Sequence, residues 1–267
     1  MCFPELDDER QRRLVRDTFI ANGIGILETA TGWCRDPEHL RHRVVFEGQE
    51  HMARVQAEGK GALIIGIHFS TLDLGGALHS LFFPADVVYR PHDNALFERF
   101  MTRARNRIFG TAIDRHDLRG VVRRIKSGHH VWYSPDQDFG REASVFAPFF
   151  GVEAATIKLT AKIARMTGAP VMPLIFHRNP DDYTYRLEYL PALEDFPSGD
   201  EVLMPPASTP SSKPPSADIP SSTCGCIVVS RHDPTRVTPS YMMCEPRACS
   251  WAGPCRYVDR WHASRSR

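Results

Sequence analysis

His68 and Asp73, separated by four residues, follow directly on the apolar run Ala62-Leu63-Ile64-Ile65-Gly66-Ile67. Such a run predicts a buried strand, and in open α/β sheets ligands bind at the carboxyl ends of strands. An imidazole placed there can take a proton from a hydroxyl, and a carboxylate can orient the ring and stabilise its cation. Five positions along a regular helix amount to about 140° of rotation, so the two side chains would not share a helix face. They meet only if His68 lies in the loop and Asp73 in the first turn of the helix that follows, as the strand-loop-helix pattern predicts. That helix start also offers unpaired N–H groups and positive potential for an anionic intermediate. A core histidine beside a helix-start carboxylate is the competing reading of these two residues.

Three further segments carry chemistry. Val87-Val88-Tyr89-Arg90-Pro91 ends a strand in an arginine, suited to bidentate capture of a phosphate or carboxylate; a solvated strand-end arginine is the alternative. Arg99, Arg103, Arg105, Arg107, Arg115, Arg119, Arg123, Arg124 and Lys126 form a basic region. It could hold a polyanionic substrate, lie against anionic headgroups, or form a solvated helix face. Nucleic acid is not an expected partner, because no aromatic-interleaved binding motif accompanies these cations. Val131-Trp132-Tyr133-Ser134-Pro135-Asp136-Gln137-Asp138 again ends a strand in a carboxylate-bearing turn. Ser144 to Gly151 then supplies apolar aromatic residues that could wall an acyl-chain pocket or simply belong to the core.

The elements that must position these residues follow from periodicity. Asp7-Asp8 can cap a helix over 9–31 with Leu14, Val15, Phe19, Ile26 and Leu27 as its apolar side. Helices are predicted over 48–58, 71–80, 94–108, 117–126 and 157–166, the last closed by Gly168. Strands are predicted over 62–67, 86–89, 129–134, 171–176 and 183–190, the last two joined by a turn at Asn179-Pro180-Asp181-Asp182. Small Gly75 and Gly76 permit close helix packing. Strands alternating with helices argue for an α/β sandwich around a largely parallel sheet. The 267 residues, 42% hydrophobic and 24% charged with net charge +1, suit one domain with a sizeable core. No apolar run is long enough to span a bilayer, and no secretory signal pattern is present. Cys2 and Cys34 alone precede residue 203, so that part reads as reduced and cytosol-facing. The five later cysteines match no common zinc spacing, and no metal is expected.

In order and spacing, His-x4-Asp, Tyr-Arg-Pro, Pro-Asp-Gln-Asp, Phe-x-Pro-Phe-Phe-Gly with Ala154-Ala155-Thr156, and Gly168-Ala169-Pro170-Val171-Met172-Pro173 resemble the late acyltransferases of lipid A biosynthesis, the lauroyl- and myristoyl-transferring type. The resemblance covers about residues 2–202. It implies a three-layer αβα acyltransferase-type sandwich and acyl transfer from acyl carrier protein to a hydroxyl of a lipid A precursor. His68 would be the base and Asp73 would orient it. Arg90 and Asp136, with Arg103 and Arg105 of the basic helices, would serve the substrate, and no cofactor beyond the carrier-protein thioester is implied. The expected location is the cytoplasmic face of the inner membrane. A related glycerolipid or glycolipid acyltransferase is the alternative.

Two departures stand out. The family's hydrophobic N-terminal anchor is missing before the opening Met1-Cys2-Phe3-Pro4, which predicts a truncated start and weak, reversible membrane attachment through basic and apolar surface. Residues 203–267 are rich in proline, serine and cysteine, and lack the family's closing Gln-Tyr-x-Trp-x-His-Arg-Arg-Phe-Lys block. Reading each free third base from Leu203 to Pro234 with the first two of the next codon permits a helix-forming string that ends in that block. The expectation is a domain over 1–202 and a disordered, frameshifted tail over 203–267, leaving an inactive remnant as the rival to an active enzyme.

Overall fold

The computed structural model describes residues 7–136, 144–149 and 152–197, with side chains described outside 144–156. Residues 203–267, expected to form an aberrant tail, and their cysteines lie outside the described residues. So do the side chains of the segment read as an acyl-pocket wall, of which residues 144–149 form a strand.

The chain begins with α1 (Asp8–Cys34), its start capped by the Asp7 carboxylate accepting the Arg10 N–H at 2.9 Å. A 3-10 turn (Pro37–Arg43) leads into β1 (Val44–Glu47) and α2 (Gln49–Ala57). Then come β2 (Ala62–Gly66), α3 (Leu72–His79), β3 (Asp86–Tyr89), α4 (Ala95–Ile108), β4 (Ala112–Asp114), α5 (Leu118–Lys126) and β5 (His130–Tyr133). The hairpin β6 (Ser144–Phe149) and β7 (Val152–Ile157) precedes α6 (Leu159–Thr167), β8 (Val171–Arg178) and β9 (Tyr185–Tyr189). Seven strands form one sheet in the order β1-β9-β8-β2-β5-β3-β4. Five run parallel from β8 to β4, while β9 pairs antiparallel to β8 and parallel to β1.

Alternation along β2 shows how the layers are filled. Ala62 and Ile64 face a core that holds Leu74 and Leu78 of α3 with Trp132, Met172, Leu174, Phe176 and Leu187. Leu63 faces the opposite core, with Val121 and Ile125 of α5 and Ile163 and Ala164 of α6. Helices cover both faces, so the central strands read as unbroken apolar runs. The expected three-layer αβα sandwich is thus observed. Gly75 lets α3 lie close on the sheet: a Cβ there would stand 2.6 Å from the Phe176 ring.

Four strands escape the sequence pattern: β6 and β7, which read only as an aromatic segment and its continuation, and the two edge strands. β1 and β4 sit at the sheet edges and are four and three residues long, too short for alternation to register. The apolar side expected for α1 is half-buried at Leu14 and Val15 but reversed from Phe19 onward. Phe19, Ile26 and Leu27 are exposed, and the inward positions are Ala21, Gly25, Glu28 and Gly32. Among the described residues no helix is long and apolar enough to cross a membrane.

Candidate active site

His68 stands two residues past the end of β2, in a tight turn closed by Phe69 N–H to the Ile67 carbonyl at 2.8 Å and Leu72 N–H to the Phe69 carbonyl at 3.1 Å. Buried Phe69, edge-on to Phe176 with centroids 5.3 Å apart, anchors this turn to the core. The His68 side chain stays 30% exposed. β5 is the next strand over, with Tyr133 level with Ile65, so the residues beyond Tyr133 emerge beside the turn.

That register brings Asp136 to His68. The Asp136 side chain is fully buried; its Oδ2 accepts the His68 backbone N–H at 2.8 Å and its Oδ1 faces the ring Nδ1 at 2.5 Å. A carboxylate only accepts hydrogen bonds, so in the neutral ring Nδ1 carries the proton and Nε2 is the basic nitrogen. One side chain therefore fixes the ring's tautomer and its backbone together. The negative charge also acts on Tyr133, whose phenol is pushed up by burial first and by Asp136 second.

Asp73 does lie in the first turn of α3, as expected, but it does not orient the ring. Its Oδ1 accepts the Trp33 indole N–H at 3.0 Å, its Oδ2 accepts the Thr29 hydroxyl at 3.4 Å, and an Arg105 guanidinium nitrogen stands 4.0 Å from Oδ1. The helical rotation between positions 68 and 73 turns this carboxylate toward α1 and α4, while the strand order leaves the ring to Asp136. Thr29 and Trp33 give no sequence signal beyond polar groups near the end of an apolar helix.

Arg105 is drawn in with them. It lies largely buried with its guanidinium 5.2 Å from the centre of the Tyr89 ring, and desolvation lowers its pKa against the opposing pull of Asp73, Glu98 and Tyr89. Its buried NH1 has no hydrogen-bond partner among the described residues. Arg90 is elsewhere: exposed at the end of β3, it pairs with Asp93 at 3.4 Å. Arg103 is exposed on α4, where it lines an open recess of about 700 Å³ with Glu98, Arg99, Thr102, Asn106 and Arg107. The structure thus pairs His68 with Asp136 and Asp73 with Arg105, and sets Arg90 and Arg103 on the surface.

α1 roofs the site by close approach. A Cβ on Gly25 would stand 2.4 Å from the Ser70 carbonyl oxygen, and one on Gly32 would stand 3.3 Å from Leu74 Cα. Larger inward residues would lift the helix off the loop. Arg107 ties down its far end by donating to the carbonyls of Gly32, Trp33 and Arg35 at 3.4, 2.7 and 3.2 Å. Further along, buried Glu28 pairs with buried Arg178 at 2.8 Å and accepts the Tyr185 hydroxyl at 2.9 Å, fastening α1 to β8 and β9. Among the described residues no three His, Cys, Asp or Glu side chains are grouped as metal ligands. The chemistry on offer is an oriented, accessible imidazole base with a second carboxylate and a desolvated cation close to the same loop.

Comparison with known proteins supplies the context. Over 192 residues the chain is 40% identical to the lipid A biosynthesis lauroyltransferase of Escherichia coli (strain K12), covering 72% of this chain and 63% of that one. Over 199 residues it is 37% identical to the palmitoleoyltransferase of the same organism, covering 74% and 65%. Over 203 residues it is 23% identical to that organism's myristoyltransferase, covering 75% and 63%. The chain spans a little under two thirds of the length of these relatives. The family profile of bacterial lipid A biosynthesis acyltransferases matches residues 1–204. Because that match takes in every strand of the sheet and the whole of the loop that His68 and Asp136 build, this chain belongs to the bacterial lipid A biosynthesis acyltransferase family.

Proposed function

We propose that this fold transfers a fatty acyl chain from the thioester of acyl carrier protein to a hydroxyl of a lipid A precursor, at the cytoplasmic face of the inner membrane. The observation that carries the reading is the grip of Asp136 on His68, which makes Nε2 the base. The acceptor hydroxyl gives its proton to Nε2 as its oxygen attacks the thioester carbonyl. The tetrahedral oxyanion collapses and expels the thiolate. The imidazolium returns the proton to that sulfur, leaving an ester and the free carrier thiol. Asp136 stays ionised throughout and stabilises the imidazolium. Atoms and charge balance without a redox group or metal, so the donor thioester is the only co-substrate required.

Arg105 contributes positive charge beside the loop, and Asp73 holds it there. Arg103, Arg90 and the recess on α4 serve as docking points for the phosphates of the acceptor or of the carrier protein. Support also comes from the relatives, all named for acyl transfer in lipid A biosynthesis.

The test is transfer from a lauroyl-loaded carrier protein to a lipid A precursor in detergent, with His68→Ala alongside. Loss of transfer by about 10³-fold or more with an unchanged thermal transition is expected. Activity retained in the folded variant would remove His68 from the reaction.

A further inference from the structure

The reversed polarity of α1 has to be accounted for. From Thr18 to Cys34 the helix contains a single charged residue, Glu28, and that residue is buried. The outward side carries Phe19, Ile20, Ile26 and Leu27, with Ile26 72% exposed, and between and beyond them only Gly23, Ala30 and Cys34. These positions recur at helical spacing, so they form one continuous stripe. Small residues face inward because the catalytic loop comes too close for larger ones. The bulky residues are thus left outside by the site's own geometry.

α4 extends the stripe. Leu96, Phe97 and Phe100 are exposed, Leu96 at 80%, and Trp33 at the end of α1 meets both phenylalanine rings edge-on, with centroids 5.7 and 5.9 Å away. Beyond them the exposed charged residues of α4 are Arg99, Arg103 and Arg107, and none is acidic. The helix's one acid, Glu98, is turned to the His92 N–H, the Thr102 hydroxyl and the Tyr89 hydroxyl. Exposed Asp93, just before α4, is paired with Arg90 at 3.4 Å, and bulky apolar groups flanked by arginine complement a layer with a hydrocarbon interior and negatively charged headgroups.

We propose that the outward face of α1, continued by Leu96, Phe97, Phe100, Arg99 and Arg103 of α4, seats in an anionic lipid bilayer. The inference rests on the reading of the site as a lipid acyltransferase and adds the surface through which it meets lipid. The inner side of the same helix touches Ser70 and holds Asp73, so seating brings the loop of His68 to within roughly one helix diameter, about 10 Å, of the lipid. A lipid-borne hydroxyl that stands that far above the hydrocarbon then reaches the base while its acyl chains stay in the layer.

Flotation of the full chain with phosphatidylcholine vesicles, with and without phosphatidylglycerol, tests this. The chain should float with the phosphatidylglycerol vesicles and far less with the neutral ones. Ile26→Glu with Leu27→Glu should lower the partition coefficient by about tenfold or more, since two bulky apolar groups no longer enter the layer. Arg99→Gln with Arg103→Gln should lower it by about tenfold on phosphatidylglycerol vesicles alone. Both variants change exposed positions, and circular dichroism should be unaltered. Ile26→Glu with Leu27→Glu should also keep transfer to a detergent-dispersed acceptor, which separates seating from chemistry. Failure of the parent to float, or equal flotation of the glutamate variant, would overturn the proposal. So would a parent dimer that the glutamate substitutions dissolve without affecting flotation, which would make the face a protein interface. None of these readings depends on the fate of His68→Ala.

Discussion

Asp136→Asn is the sharpest perturbation of the site, because it keeps the shape of the side chain and changes only what each atom can do. In the native site both carboxylate oxygens accept from the same residue, Oδ1 from the ring and Oδ2 from the backbone N–H. An asparagine has one acceptor and one donor at these two places. If its oxygen keeps the backbone N–H, its NH2 faces Nδ1, the ring proton moves to Nε2, and the base is lost. If its oxygen keeps the ring, a buried NH2 confronts a backbone N–H, at a cost of about 1–3 kcal/mol. The first arrangement is the better satisfied one. A wrong tautomer at an oriented histidine lowers kcat by about 10³- to 10⁴-fold, or about 4–5.5 kcal/mol of transition-state stabilisation. KM should move by no more than about threefold, since the Asp136 side chain is fully buried against His68. Steady-state transfer with varied acceptor, run beside thermal unfolding, reads both quantities. A fall in kcat below about tenfold in a folded variant would refute the assignment of Asp136 to the ring.

Three other expectations follow from the same contacts. Trp33→Phe keeps a ring against Phe97 and Phe100 but removes the indole N–H from the charged Asp73, and urea unfolding should show a loss of about 1.5–3 kcal/mol. Glu28→Ala leaves Arg178 without its paired carboxylate in a buried place and takes the acceptor from Tyr185; urea unfolding should show a loss of about 3–5 kcal/mol, and Glu28→Gln a smaller one. Burial, reinforced by His130, lowers the His79 pKa from 6.5 to about 3 in the native state. The unfolded chain therefore binds a proton that the native state refuses, and stability should fall as pH drops from about 6.5 toward about 3, by up to about 1.4 kcal/mol per unit from this residue. Denaturation midpoints that do not change between neutral and mildly acidic pH would contradict this.

Some of the site could be read in the chain before its structure was known, and the reasons for the rest are specific. β3 was bounded to the residue, and the strand leading to His68 to within one, because unbroken apolar runs next to turn residues are a local signal. The partner of His68 was not local. Asp136 reaches the ring because β5 lies beside β2, and strand order in a parallel sheet is not written in any window of sequence. Asp73 was the nearer carboxylate and held the expected place in α3, yet its direction depends on α1 and α4 lying over it. The stripe of α1 was visible as a pattern. Which way it faced depended on how close Gly25 and Gly32 come to the loop, a tertiary fact that periodicity does not contain.

The position of β2 has a consequence for how the molecule fluctuates. The strand that leads to His68 is hydrogen-bonded to β8 on one side and β5 on the other, while the short edge strands β1 and β4 end the sheet. Opening a central strand requires breaking both ladders and both cores, so amide protons of Leu63 and Ile64 belong to the class that exchanges only on global unfolding. α1 packs on the domain along one side only, so opening it breaks fewer contacts than opening β2 and places it lower in the same spectrum. The molecule thus grades its stability: amide exchange along α1 precedes that of the strand beneath His68, which stays in register until the whole fold opens.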